Sequence, residues 1–207
     1  AENFATTQGG GVYQGAGQAA TAQNLILADN SATDDGGGIY TESTLTLTNA
    51  TAVGNDALTG DGGALREFST ASVTVLNGVF YDNAAATGGG DDISFASAAS
   101  LSLSHTLYQA NQGVGLVDDG TNFWMSLPVF SDYSADGSWN DDLCLEVGSP
   151  GRDQGDASVG LDTDGSATDI GALGGASSLF PACGAGGGAI LVWAAAVVNK
   201  PGGGGVL

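Results

Sequence analysis

Paired carboxylates are the residues of this chain best suited to chemistry. Asp34-Asp35, Asp91-Asp92, Asp118-Asp119 and Asp141-Asp142 each put two acids side by side, and glycoside hydrolysis needs two carboxyl groups flanking the scissile bond. Each pair stands beside Gly, Thr or Asn in turn-like sequence, and 23 acidic residues in 207 produce adjacent pairs by chance. Polysaccharide elimination would need a basic residue to take a proton beside a divalent cation, and Arg66, Arg152 and Lys200 are the whole supply. One histidine, His105, offers no nucleophile relay by itself. Cys144 and Cys183 are the only thiols, with no Cys-x-x-Cys and no His/Cys cluster, so zinc and redox chemistry have no motif. Asp162-x-Asp164-Gly165, with Asp169 further on, spaces oxygens so that Asp162, Asp164 and Asp169 could hold Ca²⁺, although the twelve-residue loop and terminal Glu of an EF-hand are missing. No cofactor is required by any of these patterns, and the sequence predicts a protein that is not an enzyme.

What must position these residues is a repeat. Asn24-LILAD-Asn30, Asn49-ATAVG-Asn55, Asn77-GVFYD-Asn83 and His105-TLYQA-Asn111 place the second Asn at steps of 25, 28 and 28. The glycine markers at Gly10-Gly11, Gly37-Gly38, Gly62-Gly63 and Gly89-Gly90 keep a similar step. A period in the twenties means one supersecondary unit per repeat, stacked because a single unit cannot bury its apolar face. Thr44-Leu45-Thr46-Leu47-Thr48, Ser72-Val73-Thr74-Val75 and Ser100-Leu101-Ser102-Leu103-Ser104 alternate apolar and hydroxyl residues, which is the period of a strand. Three short strands and three turns per repeat make one coil of a parallel β-helix, with coils about 4.8 Å apart.

The recurring Asn residues then read as ladders. Asn at a turn can adopt the left-handed conformation, and Asn stacked at one place in successive coils can bond side chain to side chain. Asn30, Asn55, Asn83 and Asn111 form one expected ladder, and Asn24, Asn49 and Asn77 a second, with His105 in its fourth place as a turn residue.

Gly37-Gly38-Ile39-Tyr40, Gly62-Gly63-Ala64-Leu65 and Phe80-Tyr81-Asp82-Asn83 resemble the paired Gly-Gly-Ala-Ile and Phe-x-x-Asn tetrapeptides of the chlamydial-type polymorphic outer membrane protein repeat, found in bacterial surface β-helix proteins. The match covers roughly residues 9 to 112, with Leu27, Ala52 and Tyr108 standing where the motif has Phe. The resemblance implies an all-β, right-handed, single-stranded parallel β-helix displayed at a cell surface. The Asn-Thr-Asp, Gly-His-Gly and Arg-Ile-Lys signatures of the β-helical pectin hydrolases are absent. Ser149-Pro150-Gly151-Arg152-Asp153-Gln154-Gly155-Asp156, Asp162-Thr163-Asp164-Gly165 and Asp169-Ile170-Gly171-Ala172 resemble the ending of secreted bacterial β-helix proteins, which implies the last turn of the coil.

Three parts follow: coils over 1–112, an aromatic and Asp-rich cap with a closing coil over 113–183, and a Gly-rich apolar tail over 184–207. The aromatics Phe123, Trp124, Phe130, Tyr133 and Trp139 are expected to cover the open end of the stack, whose unpaired edges would otherwise template association. A formal charge of -20 would repel nucleic acid and anionic membrane surfaces, and excludes nucleic acid as a partner. The chain starts at Ala1 without Met or a signal peptide, so a processed, secreted protein, or a fragment of one, is expected. Its two cysteines should then pair, closing a loop of about 40 residues worth roughly 3 to 4 kcal/mol. In the tail, ten apolar residues including Ile190, Leu191, Val192, Trp193, Val197 and Val198 fall short of the roughly 20 needed for a transmembrane span. They suit a strand added to the sheet edge of a neighbouring copy. The sequence therefore predicts an extracellular or cell-surface structural protein that self-assembles into a fibre or sheath. An adhesin or glycan-binding module contacting surface glycans or a host or cell receptor is the alternative, followed by a polysaccharide-degrading β-helix enzyme.

Overall fold

Strands that alternate apolar and hydroxyl residues have one face to hide, and coiling them around a common axis hides all such faces in one interior. The computed structural model describes residues 3–176 apart from 18, 70, 88–89, 96–99, 110, 113–115, 125 and 135–140. The first coil comprises β1 (Phe4–Ala5), β2 (Val12–Gln14) and β3 (Ala20–Ala28), and the second β4 (Ser31–Ala32), β5 (Ile39–Thr41) and β6 (Leu45–Val53). The third has β7 (Asp56–Ala57), β8 (Leu65–Glu67) and β9 (Ser72–Tyr81), and the fourth β10 (Ala84–Ala85), β11 (Ile93–Phe95), β12 (Ser100–Ser104) and β13 (Leu107–Tyr108). A fifth, smaller coil follows with β14 (Asn111–Gln112), β15 (Leu116–Asp118) and β16 (Phe123–Trp124). Corresponding strands pair in parallel to form three sheets: sheet A (β1-β4-β7-β10), sheet B (β2-β5-β8-β11-β14) and sheet C (β3-β6-β9, continued by β12 and β13, then β15 and β16). The protein is a parallel β-helix, with no α-helix among the described residues.

The interior is filled by Leu45, Leu47, Val73, Val75, Leu101 and Leu103 from sheet C and Ile39, Leu65 and Ile93 from sheet B, all buried. Leu27, Ala52 and Phe80 pair in register as one inward column, so the small Ala52 makes room beside the Phe80 ring. The glycine markers Gly10-Gly11, Gly37-Gly38 and Gly62-Gly63 serve the corner between sheets A and B. Gly62 has φ +68, and a Cβ on Gly63 would lie 2.4 Å from the Ala84 carbonyl oxygen of the next coil. Only glycine fits either place.

Each long strand of sheet C bends at its ladder residue. Asn24, Asn49, Asn77 and His105 have φ of 53, 54, 57 and 48. One left-handed residue turns the strand and resets its alternation: Leu45 and Leu47 point inward before the bend, Ala50 and Ala52 after it. Thr51, Val53, Val79 and Leu107 therefore face outward, yet all are buried. Something must cover them.

That cover corrects two expectations. The aromatic stretch does add β16 to the end of the stack, but Phe130 and Tyr133 fold back along its side, where their ring centroids lie 6.1 and 5.8 Å from that of Tyr81. There β17 (Phe130–Asp132) pairs antiparallel with β18 (Asp142–Leu145). The closing segment is likewise no final coil. From Pro150 to Ala176 it forms a strap lying across the bends, with Ile170 packed on the outward Val79 and Leu107.

The coil boundary moves too. Leu101 pairs with Leu116 and Leu107 with Phe123, so the repeat shortens from 28 residues to 15 or 16 and continues to residue 124 rather than ending at 112. The fifth coil contributes no strand to sheet A among the described residues.

Candidate functional site

An Asn side chain is both donor and acceptor, so stacked Asn residues can bond head to tail. Asn3 Nδ2 donates to Asn30 Oδ1 (2.8 Å), Asn30 Nδ2 to Asn55 Oδ1 (2.8 Å), and Asn55 Nδ2 to Asn83 Oδ1 (2.9 Å). Asn83 Nδ2 then donates to Asp92 Oδ1 (2.9 Å). The same oxygens take main-chain donors, with Asn30 N–H on Asn55 Oδ1 and Asn55 N–H on Asn83 Oδ1. This inner ladder ties each coil to the next. Its ends differ from the sequence expectation: Asn3 begins it, and Asp92 terminates it in place of Asn111. Asn111 pairs with Ile93 in sheet B, because the shortened fourth turn skips sheet A.

The bend ladder is joined side chain to side chain at one step, Asn77 Nδ2 to Asn49 Oδ1 (2.9 Å). Its other groups hold the strap. Asn24 Nδ2 donates to the Ala172 carbonyl (2.9 Å), Asn49 Nδ2 donates to Gly174 O (2.9 Å), and Asn77 Oδ1 accepts from Asp156 N–H (2.8 Å). Ala172 N–H donates to Thr51 Oγ1 (2.9 Å). The strap thus runs from the fourth coil back to the first.

His105 occupies the fourth bend, and catalytic residue types converge around it. Ser104 Oγ lies 3.1 Å from His105 Nδ1 and donates to Asp119 Oδ2 (2.6 Å), while Asp156 Oδ2 lies 3.9 Å from Nδ1. Thr121 Oγ1 donates to Asp119 Oδ1 (2.5 Å) and accepts from His105 N–H (2.8 Å). The Ser104 and Thr121 hydroxyls hold the Asp119 carboxyl below its ordinary range, and hydrogen bonds from Ser158 do the same for Asp156. A nucleophile relay needs serine and carboxylate on opposite ring nitrogens. Here Ser104 and Asp156 both face Nδ1, and the serine proton is directed at a carboxylate of depressed basicity. The cluster satisfies a turn.

The acidic pairs behave similarly. Asp35 Oδ1 accepts from Asp61 N–H, Asp91 Oδ1 from Ala85 N–H, Asp141 Oδ1 from Ser134 N–H and Asp142 Oδ1 from Cys144 N–H. Arg66 pairs with Asp61 (3.3 Å), and Arg152 Nη1 donates to Leu145 O (2.9 Å). The expected Ca²⁺ ligands are also engaged: Asp162 accepts from Asp169 N–H, Asp169 from Asp153 N–H and Asp164 from Ser166 N–H. Among the described residues no three His, Cys, Asp or Glu side chains converge as a metal site.

Burial pushes the Asp169 carboxyl up to about 6 despite its bond from Asp153, with Asp162 adding repulsion, and burial raises Asp162 as well. A carboxyl raised above its unfolded value of about 3.9 binds its proton more tightly when folded. Its contribution to stability is full below about pH 4 and is lost as pH rises through about 6, a change of roughly 2 to 3 kcal/mol for Asp169. Asp119, Asp156 and Asp164, which are lowered, act in the opposite sense, so the comparison must isolate Asp169. In urea unfolding at pH 4 and 7, Asp169→Asn should lose less stability on going to pH 7 than the parent chain. Equal losses would contradict the assignment.

Cys144 is buried and disulfide-bonded. Cys183 lies outside the described residues, as do the tail positions Ile190, Leu191, Val192, Trp193, Val197 and Val198 and the aromatic Trp139. On the surface, Trp124 of the fifth coil is 64% exposed and Val147, beyond β18, 87%, with Leu127 and Val129 also exposed. The chain matches no protein family, no curated protein and no solved structure.

Proposed function

We propose that this chain is a non-catalytic, secreted or cell-surface structural protein whose rods assemble with copies of themselves through an open coil edge and the apolar tail. The observation that carries this reading is the first coil. Among the described residues β1, β2 and β3 pair only with β4, β5 and β6, and Val12, Ala20, Ala22 and Leu25 above the core are only partly buried. An edge of unpaired main-chain groups with an apolar floor adds a strand readily. Residues 189–198 supply one, rich in strand formers and set between glycines. A tail of one copy on the edge of the next is a head-to-tail contact, which propagates without closing. Two further features fit an extracellular setting. The disulfide at Cys144 suits an oxidising compartment, and the recurring polar side chains are occupied in holding coils together.

Deleting residues 184–207 tests it. The full chain should sediment as polymers whose mass grows with protein concentration and with salt, since screening relieves repulsion between chains of charge -20. The truncated chain should sediment as a monomer. Polymers of the truncated chain would assign assembly to another surface.

The exposed Trp124, Leu127, Val129 and Val147 favour a second reading, an adhesin or glycan-binding module. In that case the chain stays monomeric, and Trp124→Ala abolishes its adhesion while leaving its mass unchanged.

A further inference from the structure

The outward face of sheet C ahead of the bends has a composition unlike the rest of the rod. Thr21 pairs with Thr46, Thr46 with Thr74, and Thr74 with Ser102, one hydroxyl in each of the first four coils without a register shift, and Val117 follows Ser102 in the fifth. Gln23, Thr48, Leu76 and Ser104 form the neighbouring column, and Thr44 and Ser72 begin a third. Their inward neighbours, from Leu45 to Leu103, fill the core, so strand alternation directs these side chains outward. Thr21, Thr44 and Thr74 are exposed, and Thr46, Thr48, Ser72 and Ser102 are half-buried. The Thr21-Thr46-Thr74-Ser102 column therefore spaces hydroxyls about 4.8 Å apart between coils, and Thr44, Thr48, Ser72 and Ser104 flank it roughly 6.6 to 6.8 Å away along their strands.

Strand propensity explains threonine on an outward face. It does not explain the absence of charge. None of these positions is Asp, Glu, Lys or Arg in a chain with 23 acids, and the Asp119 carboxylate meets them only at Ser104, at the fourth-coil end, whereas sheet A carries Asp56 and sheet B Arg66 at their strand positions. Aromatic rings are missing from the face as well. A soluble glycan is gripped by ring stacking together with amides or carboxylates, and would use a few of these positions at most. A two-dimensional repeat is read only by a partner with a repeat of its own. A hydroxyl donates one hydrogen bond and accepts two, much as a water molecule at a crystal surface can. The β-branched threonines are stiff at χ1, so their oxygens keep the spacing of the backbone, and each methyl covers the gap beside its hydroxyl. A charge on such a face would demand hydration that a neutral lattice cannot supply.

We infer that this face binds the surface of ice crystals. The inference stands apart from assembly, because the grid lies on the side of the rod and the proposed contacts between copies lie at the coil edge and tail. The test grows ice slowly from a dilute solution of the full chain and measures the protein in the ice fraction, with thermal hysteresis read on the same sample. The full chain should enter the ice and separate its melting and freezing points. Thr46→Lys/Thr74→Lys should reduce both effects at least tenfold, with a native far-UV circular dichroism spectrum. Should the lysine pair unfold the chain, Thr46→Ala/Thr74→Ala is the substitute, with a several-fold loss expected. Ser31→Lys, the same change on sheet A, should behave as the parent. Exclusion of the full chain from ice would overturn the inference, as would equal ice binding by folded Thr46/Thr74 variants. Binding to microcrystalline cellulose without binding to ice would also overturn it, and would give the face to a crystalline polysaccharide.

Discussion

Asn55→Ala should cost roughly 3 to 5 kcal/mol, enough to unfold a large share of the chain. Asn55 is fully buried. Its Nδ2 donates to Asn83 Oδ1 and to the Leu27 carbonyl, and its Oδ1 accepts from both nitrogens of Asn30. Alanine would leave these partners in the interior without their bonds, at about 1 to 3 kcal/mol for each group left unsatisfied. Asn3 sits at the outer, partly buried end of the same ladder, where water can replace the lost amide, so Asn3→Ala should cost under about 1 kcal/mol. Urea unfolding of the two variants beside the parent measures the difference. Equal losses would mean that the inner ladder does not tie the coils.

Ile170→Asp should release the strap while leaving the coils intact. Ile170 is buried on Val79 and Leu107, and shortening a buried Ile to Ala already costs about 2 to 5 kcal/mol. A carboxylate there adds an unpaired charge. Cleavage of residues 150–176 by a nonspecific protease should accelerate roughly 100-fold, because cleavage follows the open population and each 1.4 kcal/mol is tenfold. Gly171→Val should act in the same direction, since Gly171 has φ +109 and its added Cβ would lie 2.8 Å from Thr51 Oγ1. Amides of Leu45–Leu47 and Val73–Val75 should keep their slow hydrogen exchange in both variants. Loss of their protection together with the strap would show that strap and coils fold as one unit.

These two experiments separate what the chain writes locally from what it does not. The coil is legible because its signal repeats: Asn24, Asn49 and Asn77 recur at one place, and a left-handed Asn is what bends the strand there. The strap is not legible, because its own residues carry no period. Asn24 meets Ala172 at a separation of 148 residues, and Asn49 meets Gly174 at 125. A signal for it did exist in outward apolar residues such as Val53 and Val79, which an uncovered rod would not carry; it is visible only once the bend is known to reset the alternation. Asn111 was misplaced for a related reason. Its spacing from Asn83 is the repeat length, but the chain between them crosses directly to sheet B, and spacing alone cannot register an omitted side of the coil. Asn3, 27 residues before Asn30, was in reach of the same periodic reading.

The candidate chemistry was less legible than the fold. Asp162, Asp164 and Asp169 have the spacing of a cation loop, and their oxygens instead accept backbone N–H groups within the strap. Spacing specifies which oxygens can approach one another, while the donors that occupy them come from turns whose geometry the pattern does not encode. His105 lies on the bend ladder by its position, but Asp119 and Asp156 reach it through loops with no counterpart in the earlier coils.

Electron microscopy of the purified full chain in about 0.15 M salt, where exposed charges are screened beyond about 8 Å, tests the central claim most directly. Filaments with a regular axial repeat, absent when residues 184–207 are removed, are the result predicted for a structural rod that grows by adding a tail strand to an open coil edge. Dispersed single particles at every protein concentration would contradict it.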